Sequence, residues 1–189
     1  APQPVQKPFP PLMNAGGSPR GQHFSAKNCD IVFVLLNPHD LDDSRARIDS
    51  VRNLARDEYG RDIQVWTYCY SVQRGTQKEA DDYLRHCVVE HGDDEAATNL
   101  LTSFGMNSAT FTRDQLDEFA FHFKAGYGGY PLVGTPETIV DTLAKLSAIG
   151  LDGMAFSWID YDDGLARFVA EAMPLMEQAG LHAGPDATG

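Results

Sequence analysis

The chain has 189 residues, 42% of them hydrophobic, which is enough for one hydrophobic core of ordinary size. Its 27 acidic and 15 basic side chains give a formal net charge of −12, which disfavours binding to nucleic acid or to an anionic membrane through bulk charge. No apolar run approaches the ~20 residues of a membrane span. The three cysteines form no CxxC pair, which argues against a disulfide scaffold or a zinc site. We therefore expect a cytoplasmic protein without a metal.

The first third of the chain predicts an extended segment followed by strands and helices in alternation. Residues 1–11 contain five prolines and predict an extended lead-in. The short apolar segment Leu12–Ala15 predicts a strand. A helix is predicted over Pro19–Asn28, with Ser18 as its N-cap and a proline at its first position. The apolar run Asp30–Leu36 predicts a strand that is buried on both faces.

The alternation continues through the next helix and strand. A helix is predicted over Asp42–Tyr59, because Ile48, Val51 and Ala55 recur at helical spacing on one face. The next strand is predicted over Asp62–Val72, where small or branched residues alternate with aromatic ones.

About sixty residues, 73–133, then interrupt the rhythm and are far longer than a usual βα loop of ~2–6 residues. They predict three helices, over Thr76–His91, Asp93–Ser103 and Arg113–Lys124. A long insertion after a barrel strand is a common place for an active-site lid. The helix Thr135–Ile149 restores the alternation.

The last predicted strand is Gly153–Ile159, and an amphipathic helix follows it. The apolar residues expected to face inward on that helix are Leu165, Phe168, Val169, Ala172, Met173 and Met176. Residues 183–189 are predicted to be a flexible tail. Strands that alternate with helices indicate an α/β fold built from parallel βα units. Four such units would leave two sheet edges open, so we expect association with another chain.

Residues 14–21, Asn-Ala-Gly-Gly-Ser-Pro-Arg-Gly, lie where a predicted strand ends and a helix begins. Gly16 and Gly17 allow the backbone to approach a ligand closely, and the helix start presents unpaired N–H groups. Ser18 adds a hydroxyl group and Arg20 adds a positive charge, so the turn is a candidate phosphate cradle. It matches neither the Walker A pattern nor GxGxxG. The alternative is an ordinary tight βα connection with an N-cap.

A second segment, Pro131–Glu137, has the chemistry of a helix start. Thr135 is the predicted N-cap, Pro136 the first helical residue and Glu137 a favourable acidic residue in the first turn.

Two stretches of sequence in this order, AGGSPRG and PLVGTPETIVDTLAKLSAIGLDGMAFSW, resemble the luciferase-like flavin-dependent monooxygenases. The similarity is greatest to the branch that contains the pyrimidine, alkanesulfonate and dimethyl-sulfide monooxygenases. It covers about residues 8–181, but only the second half of the family's barrel. The resemblance therefore implies the C-terminal half of a (β/α)8 TIM barrel over residues 12–182, with its last four βα units and a helical insertion after the third strand.

The resemblance also implies a function. In the family, reduced FMN from a separate flavin reductase reacts with O2 to give a flavin peroxide, which oxidises a small organic substrate. Ser18 occupies the position of the serine that binds the FMN phosphate. Gly16 and Gly17 would lend backbone amides, and Arg20 would add charge.

The family's other flavin contacts come from the first half of the barrel, so the catalytic residues stay unidentified. The expected partner is that missing half, either clipped from the same protein or supplied by another chain. Two alternatives stay open: a deazaflavin-dependent oxidoreductase of the same barrel superfamily, and a non-catalytic barrel subunit that stabilises a partner. The substrate is not identified by the sequence.

Four aromatic residues are candidates for the substrate pocket. Tyr127 and Tyr130 flank two glycines in a segment that predicts a flexible lid able to exclude water from a flavin. Phe156 and Trp158 lie near the end of the last predicted strand. They either line the pocket mouth, or one faces the core while the other packs against a helix.

The remaining polar candidates predict structural roles. His86 and His91 are five residues apart, about 140° around an α-helix, so they are not expected to converge on one ion. The acidic residues within Asp160–Asp163 follow a strand and precede a helix, which predicts N-capping. His122 lies among phenylalanines and is expected to be a partly buried structural histidine.

Overall fold

The computed structural model describes residues 3–182 and contains strands and helices in alternation. In chain order the elements are β1 (Met13–Asn14), α1 (Pro19–Asn28), β2 (Ile31–Phe33), α2 (Leu41–Tyr59), β3 (Gln64–Gln73), α3 (Gln77–Arg85), a π-helical turn (His86–Glu90), α4 (Asp94–Ser103), α5 (Arg113–Gly126), β4 (Tyr130–Gly134), α6 (Pro136–Ala148), β5 (Gly153–Ser157), α7 (Tyr161–Arg167), a second π-helical turn (Phe168–Ala172) and α8 (Met173–Gln178). Residues 3–11 are exposed and contain no helix or strand. The predicted tail, 183–189, lies outside the described residues.

The chain divides into two compact units. The first comprises the residues up to Thr67 together with Leu146–Ala155. The second comprises Tyr68–Lys145 together with the residues from Phe156 onward. Strand β3 contributes its first residues to one unit and the rest to the other.

The first unit is a parallel sheet whose connecting helices begin with side-chain caps. β1 pairs with β2, and β2 pairs with β3, both in parallel. Asp40 caps α2 by accepting hydrogen bonds from two amides of its first turn. Ile48, Val51 and Ala55 are buried along one side of α2, as their helical spacing predicts.

The second unit contains parallel pairing and a compact apolar core. β3 pairs in parallel with β4, with Cys69 opposite Tyr130. The core joins buried side chains of β3, α3, the first π-helical turn and α5; its members are Tyr70, Val72, Ala80, Leu84, Val88 and Ala125. Strand β5, whose residues are divided between the units, also pairs with β3.

Three features differ from the sequence prediction. The run Asp30–Leu36, predicted as a strand buried on both faces, forms the three-residue strand β2, in which Val32 alone is buried, and Leu35 is 58% exposed. The segment before Thr135 is not helix and loop alone, since Tyr130–Gly134 forms strand β4. Leu165 and Val169, expected to face inward, are 47% and 50% exposed. The buried positions on this last helical segment, which include Phe168, follow a spacing of four residues, and each of the two exposed residues lies one position, about 100°, away from that stripe.

The polar helix starts match the prediction. Thr135 accepts a hydrogen bond from Thr138 N at the start of α6. The Thr135 hydroxyl group also lowers the pKa of the Glu137 carboxyl group by hydrogen bonding. Asp160 caps α7 by accepting from the amides of Asp162 and Asp163. Within residues 3–182, no helix is long and apolar enough to cross a membrane.

Candidate functional site

The turn from β1 into α1 is held tightly by one side chain and two glycines. Asn14 Oδ1 accepts from Gly16 N at 2.7 Å and from the Ser25 hydroxyl group at 3.0 Å. A Cβ atom on Gly16 would lie 2.8 Å from the Cα of Gly21, so no side chain fits between these positions. The Gly16 amide is therefore used inside the turn. The sequence had indicated it as a ligand donor.

The next residues leave donors at the start of α1. Ser18 Oγ accepts from Gly21 N at 3.1 Å, which leaves the hydroxyl proton free to donate. The amides of Gly17, Ser18 and Arg20 have no protein acceptor within residues 3–182. A Cβ atom on Gly17 would meet nothing within 4 Å, so the space above this backbone is open. The turn thus presents amides, a hydroxyl group and a helix N-terminus on one exposed surface.

The charge at this helix start favours an anion. The first turn of α1 contains no acidic residue, whereas each of α2 to α7 has at least one. The exposed Arg20 forms no ion pair in the described part of the chain. An acidic side chain in the first turn would compete with a phosphate for the same partial positive charge, and none is present here.

In the second unit, three buried polar atoms lie around a small pocket at the carboxyl ends of β3 and β5. They are Ser71 Oγ, Gln73 Oε1 and Trp158 Nε1, and none has a hydrogen-bond partner among residues 3–182. Buried polar atoms are normally paired, and leaving one unpaired costs about 1–3 kcal/mol. Carboxyl ends of parallel strands are the usual ligand-binding edge of a barrel. We call this set the polar pocket.

Charged groups fix the walls of the polar pocket. Gln73 Nε2 donates to Glu171 Oε2 at 2.9 Å and to the Arg167 carbonyl oxygen at 3.2 Å, which directs its unpaired oxygen away from them. Arg74 lies over the Tyr83 ring at 3.8 Å and contacts Asp163 at 3.4 Å.

Ser71 and Gln73 were not predicted as site residues from the sequence. The signal in the sequence was two polar side chains among the last three residues of β3. Both residues lie at most 3% exposed in β3.

Phe156 and Trp158 lie on the same side of the chain. Their rings stack with centroids 5.8 Å apart, and both contact Phe168. A Cβ atom on Gly164 would lie 2.3 Å from the Trp158 ring, so α7 packs directly on the indole. Trp158 lines the polar pocket, and Phe156 packs against the Trp158 ring.

The segment Tyr127–Tyr130 is a turn that leads into β4, and its predicted flexibility and the lid role of Tyr130 stay predictions. Tyr127 takes a left-handed conformation, and its amide donates to Phe123 O at 2.9 Å in a helix C-cap. Tyr68 Oη donates to the Tyr127 carbonyl oxygen. Tyr130 lies in β4, where burial raises the pKa of its phenol. The Tyr127 side chain is 59% exposed, so its role as a lid residue stays a prediction.

The histidine predictions have different outcomes. His122 is a structural histidine, as expected, with Nδ1 at 2.9 Å from the hydroxyl oxygen of the buried Tyr70. The separation predicted for His86 and His91 is wrong, because their ring centroids are 4.4 Å apart. The backbone there forms a π-helical turn, and the 140° offset applies only to an α-helix.

Parallel strands followed by helices, with polar atoms gathered at the carboxyl ends of the strands, define an α/β protein. A family model described as luciferase-like monooxygenase matches residues 1–153. The chain therefore belongs to the luciferase-like monooxygenase family. This confirms the family that the glycine turn and the C-terminal segment indicated.

Individual relatives match nearly the whole chain. An FMNH(2)-dependent dimethylsulfone monooxygenase from Pseudomonas putida is 23% identical in an alignment of 187 residues that covers 94% of this chain and 49% of the relative. DmoA from Hyphomicrobium sulfonivorans has the same fold, with a TM-score of 0.79 at 18% identity, over 95% of this chain and 45% of that one. A long-chain alkane monooxygenase, LadA, gives a TM-score of 0.76 at 21% identity, over 93% and 43%.

These likenesses confirm the predicted α/β half-barrel class. The chain spans about half the length of the relatives it matches.

Proposed function

We propose that this chain supplies the FMN-phosphate site and a pocket wall of a monooxygenase that uses reduced FMN and O2 to oxidise a small organic substrate. The observation that carries the proposal is the start of α1, with its unpaired amides, a free hydroxyl proton and no acid in the first turn. Membership of the luciferase-like monooxygenase family supports it, as does the similarity to an FMNH(2)-dependent dimethylsulfone monooxygenase.

The residues of the turn fit a phosphate group. Gly17 and Ser18 would each donate a backbone N–H to phosphate oxygens, and the Ser18 hydroxyl group would donate its proton while Oγ keeps the bond from Gly21 N. Arg20 would add a mobile positive charge from solvent. Hydrogen bonds to an ionised group are the stronger kind, worth about 1.5–3 kcal/mol each.

The polar pocket has the mixed character of a small-molecule site. Trp158 offers an unpaired N–H donor and Gln73 an unpaired carbonyl acceptor, beside the aromatic surface of Phe156 and Trp158. We assign it to a polar group of the flavin or of the substrate, and its apolar wall to excluding water. Reduced FMN, delivered by a separate flavin reductase, would supply the oxygen-activating chemistry when bound. The other four βα units would come from the same longer protein or from a partner chain.

The test compares flavins with and without a phosphate in the complete barrel, in which this chain is combined with the half that supplies the other βα units. Titrations of FMN and riboflavin are followed by the quenching of flavin fluorescence. Ser18→Ala should weaken FMN binding by about 1.5–3 kcal/mol, roughly 10- to 150-fold, because one hydrogen bond to a charged group is lost. Riboflavin affinity should not change, since riboflavin has no phosphate.

Two further variants at the same position separate helix capping from phosphate binding. Ser18→Thr keeps the hydroxyl group and should bind FMN nearly as the wild type does. Ser18→Asp still caps α1 but places a negative charge against the phosphate, so it should fold normally and lose FMN. If the wild type, Ser18→Ala and Ser18→Asp bind FMN with equal affinity, the FMN phosphate does not bind at this turn. Tighter binding of a 5-deazaflavin would favour the hydride-transfer alternative, and binding of neither flavin would favour a non-catalytic subunit.

A further inference from the structure

The first π-helical turn brings together two histidines that an α-helix would keep apart. His91 N donates to His86 O at 3.1 Å, which closes the wider π-helical ring and places residues five apart on one side of the turn. The two imidazole rings meet edge to face, with centroids 4.4 Å apart.

Glu90 completes a set of three donors. Its Oε2 lies 3.1 Å from His86 Nδ1, and its Oε1 accepts from Arg85 Nη2 at 2.9 Å. One ligand atom from each of His86, Glu90 and His91 lies within 4.8 Å of the other two. Hydrogen bonding to His86 is the largest cause that lowers the pKa of the Glu90 carboxyl group, so this side chain is ionised at neutral pH. Arg85 holds the outer carboxylate oxygen and leaves the inner one facing the histidines.

The backbone that carries the three donors is anchored by the core of the second unit. Val88, in the middle of the π-helical turn, is 1% exposed and belongs to that core. A Cβ atom on Gly92 would lie 2.1 Å from Val88 O, so the chain after His91 folds tightly back against the turn. The donors themselves remain accessible, since all three are exposed.

We propose that His86, Glu90 and His91 form a binding site for Zn²⁺ or a similar borderline transition-metal ion. Two imidazoles and one carboxylate are a donor set that zinc accepts, at bond lengths of about 2.0–2.2 Å. Ligands around a tetrahedral ion with such bonds lie roughly 3.3 Å from one another, close to the 3.1 Å between His86 Nδ1 and Glu90 Oε2. Small rotations of the exposed side chains bring the third donor to that distance.

The ion would replace the hydrogen bond between His86 and Glu90 and would tie the two ends of the π-helical turn together. Water would complete its coordination, because the chain offers three donors and the site faces solvent. The net charge of −12 favours the approach of a cation. The sequence had predicted no metal, and this site is independent of the proposed flavin function.

The experiment is calorimetric titration of ZnCl2 into the metal-free protein. The wild type should bind one ion that is lost, or weakened at least about tenfold, in His86→Gln, His91→Gln and Glu90→Gln. Zn²⁺ should also raise the Tm of the wild type more than that of these variants, since the ion binds the folded turn. Excess Mg²⁺ should not displace it, because Mg²⁺ prefers oxygen ligands.

Two control variants test whether Zn²⁺ binding depends on these particular donors rather than on any exposed histidine or nearby thiol. His23→Gln removes another exposed histidine, which bonds to Tyr59 in the first unit, and should leave the Zn²⁺ isotherm unchanged. Cys87→Ser removes the thiol within the π-helical turn and should also retain binding, because that thiol is not among the three donors. The proposal is overturned if His86→Gln and His91→Gln titrate like the wild type, or if either control loses the ion.

Discussion

Asp152 connects the start of β5 to β3 through its side chain, and its replacement gives the sharpest test of the fold. Its Oδ2 accepts from Val65 N at 2.7 Å and from Arg52 Nη2 at 2.5 Å. Val65 is fully buried, whereas the Arg52 and Asp152 side chains are 30% and 34% exposed. The carboxylate therefore makes a hydrogen bond to a buried strand and an ion pair that water partly screens.

The ion pair and the hydrogen bond to Val65 N contribute different free energies to stability, and the two contacts can be removed separately. Asp152→Asn keeps an acceptor for the Val65 amide and loses only the ion pair, which costs about 0–1 kcal/mol for a partly exposed pair. Asp152→Ala loses both and leaves a buried amide unpaired, for another 1–3 kcal/mol, so we expect about 1–4 kcal/mol in total.

Urea unfolding followed by circular dichroism measures these losses from the shift in midpoint at constant slope. Added salt should reduce the difference between the wild type and Asp152→Asn, because only the ion pair is screened. The control is Asp57→Ala, which removes the carboxylate of an exposed pair with Arg56 and should not move the midpoint. Equal destabilisation by Asp152→Asn and Asp152→Ala would refute the assignment of most of the energy to the Val65 amide.

Two further predictions concern the second unit. Tyr70→Phe removes the 2.9 Å hydrogen bond to His122 without changing the packing of the ring, so the free energy of unfolding should fall by about 0.5–1.5 kcal/mol, and an unchanged urea midpoint would contradict that role. Tyr127→Ala should raise the ratio of hydrogen peroxide to oxidised product in the complete, reductase-coupled enzyme if this exposed ring closes over the flavin; a ratio equal to that of the wild type would exclude the lid role.

Much of the fold could be predicted because its helices begin at local capping signals. Ser18 followed by a proline set the first residue of α1 correctly, and apolar spacing set the buried face of α2. Strand β4 was missed because the two glycines before it and Pro131 within it favour a loop when only local sequence is considered. Its strand conformation depends on pairing with β3, a contact between distant parts of the chain that local preferences do not contain.

The candidate sites were predictable to different degrees. The turn at Ser18 is continuous in sequence, so its glycines and its cap were visible at once. The polar pocket combines β3 with residues more than eighty positions later, and only the fold brings Gln73 near Trp158. The pair His86 and His91 was misjudged for another reason: the sequence gives the spacing, but the change from α to π geometry depends on how the turn packs.

The contact between Gly16 and Gly21 has a consequence for evolution. Because each glycine would clash with the other's backbone if it gained a side chain, both positions are constrained by the fold itself. A descendant that no longer bound a phosphate would still have to keep them. Gly17 has open space around it and Ser18 faces solvent, so selection at those two positions comes from the ligand and from helix capping. Invariance at 16 and 21 among homologues would therefore report ancestry of the turn, whereas invariance at 17 and 18 would report retention of the ligand.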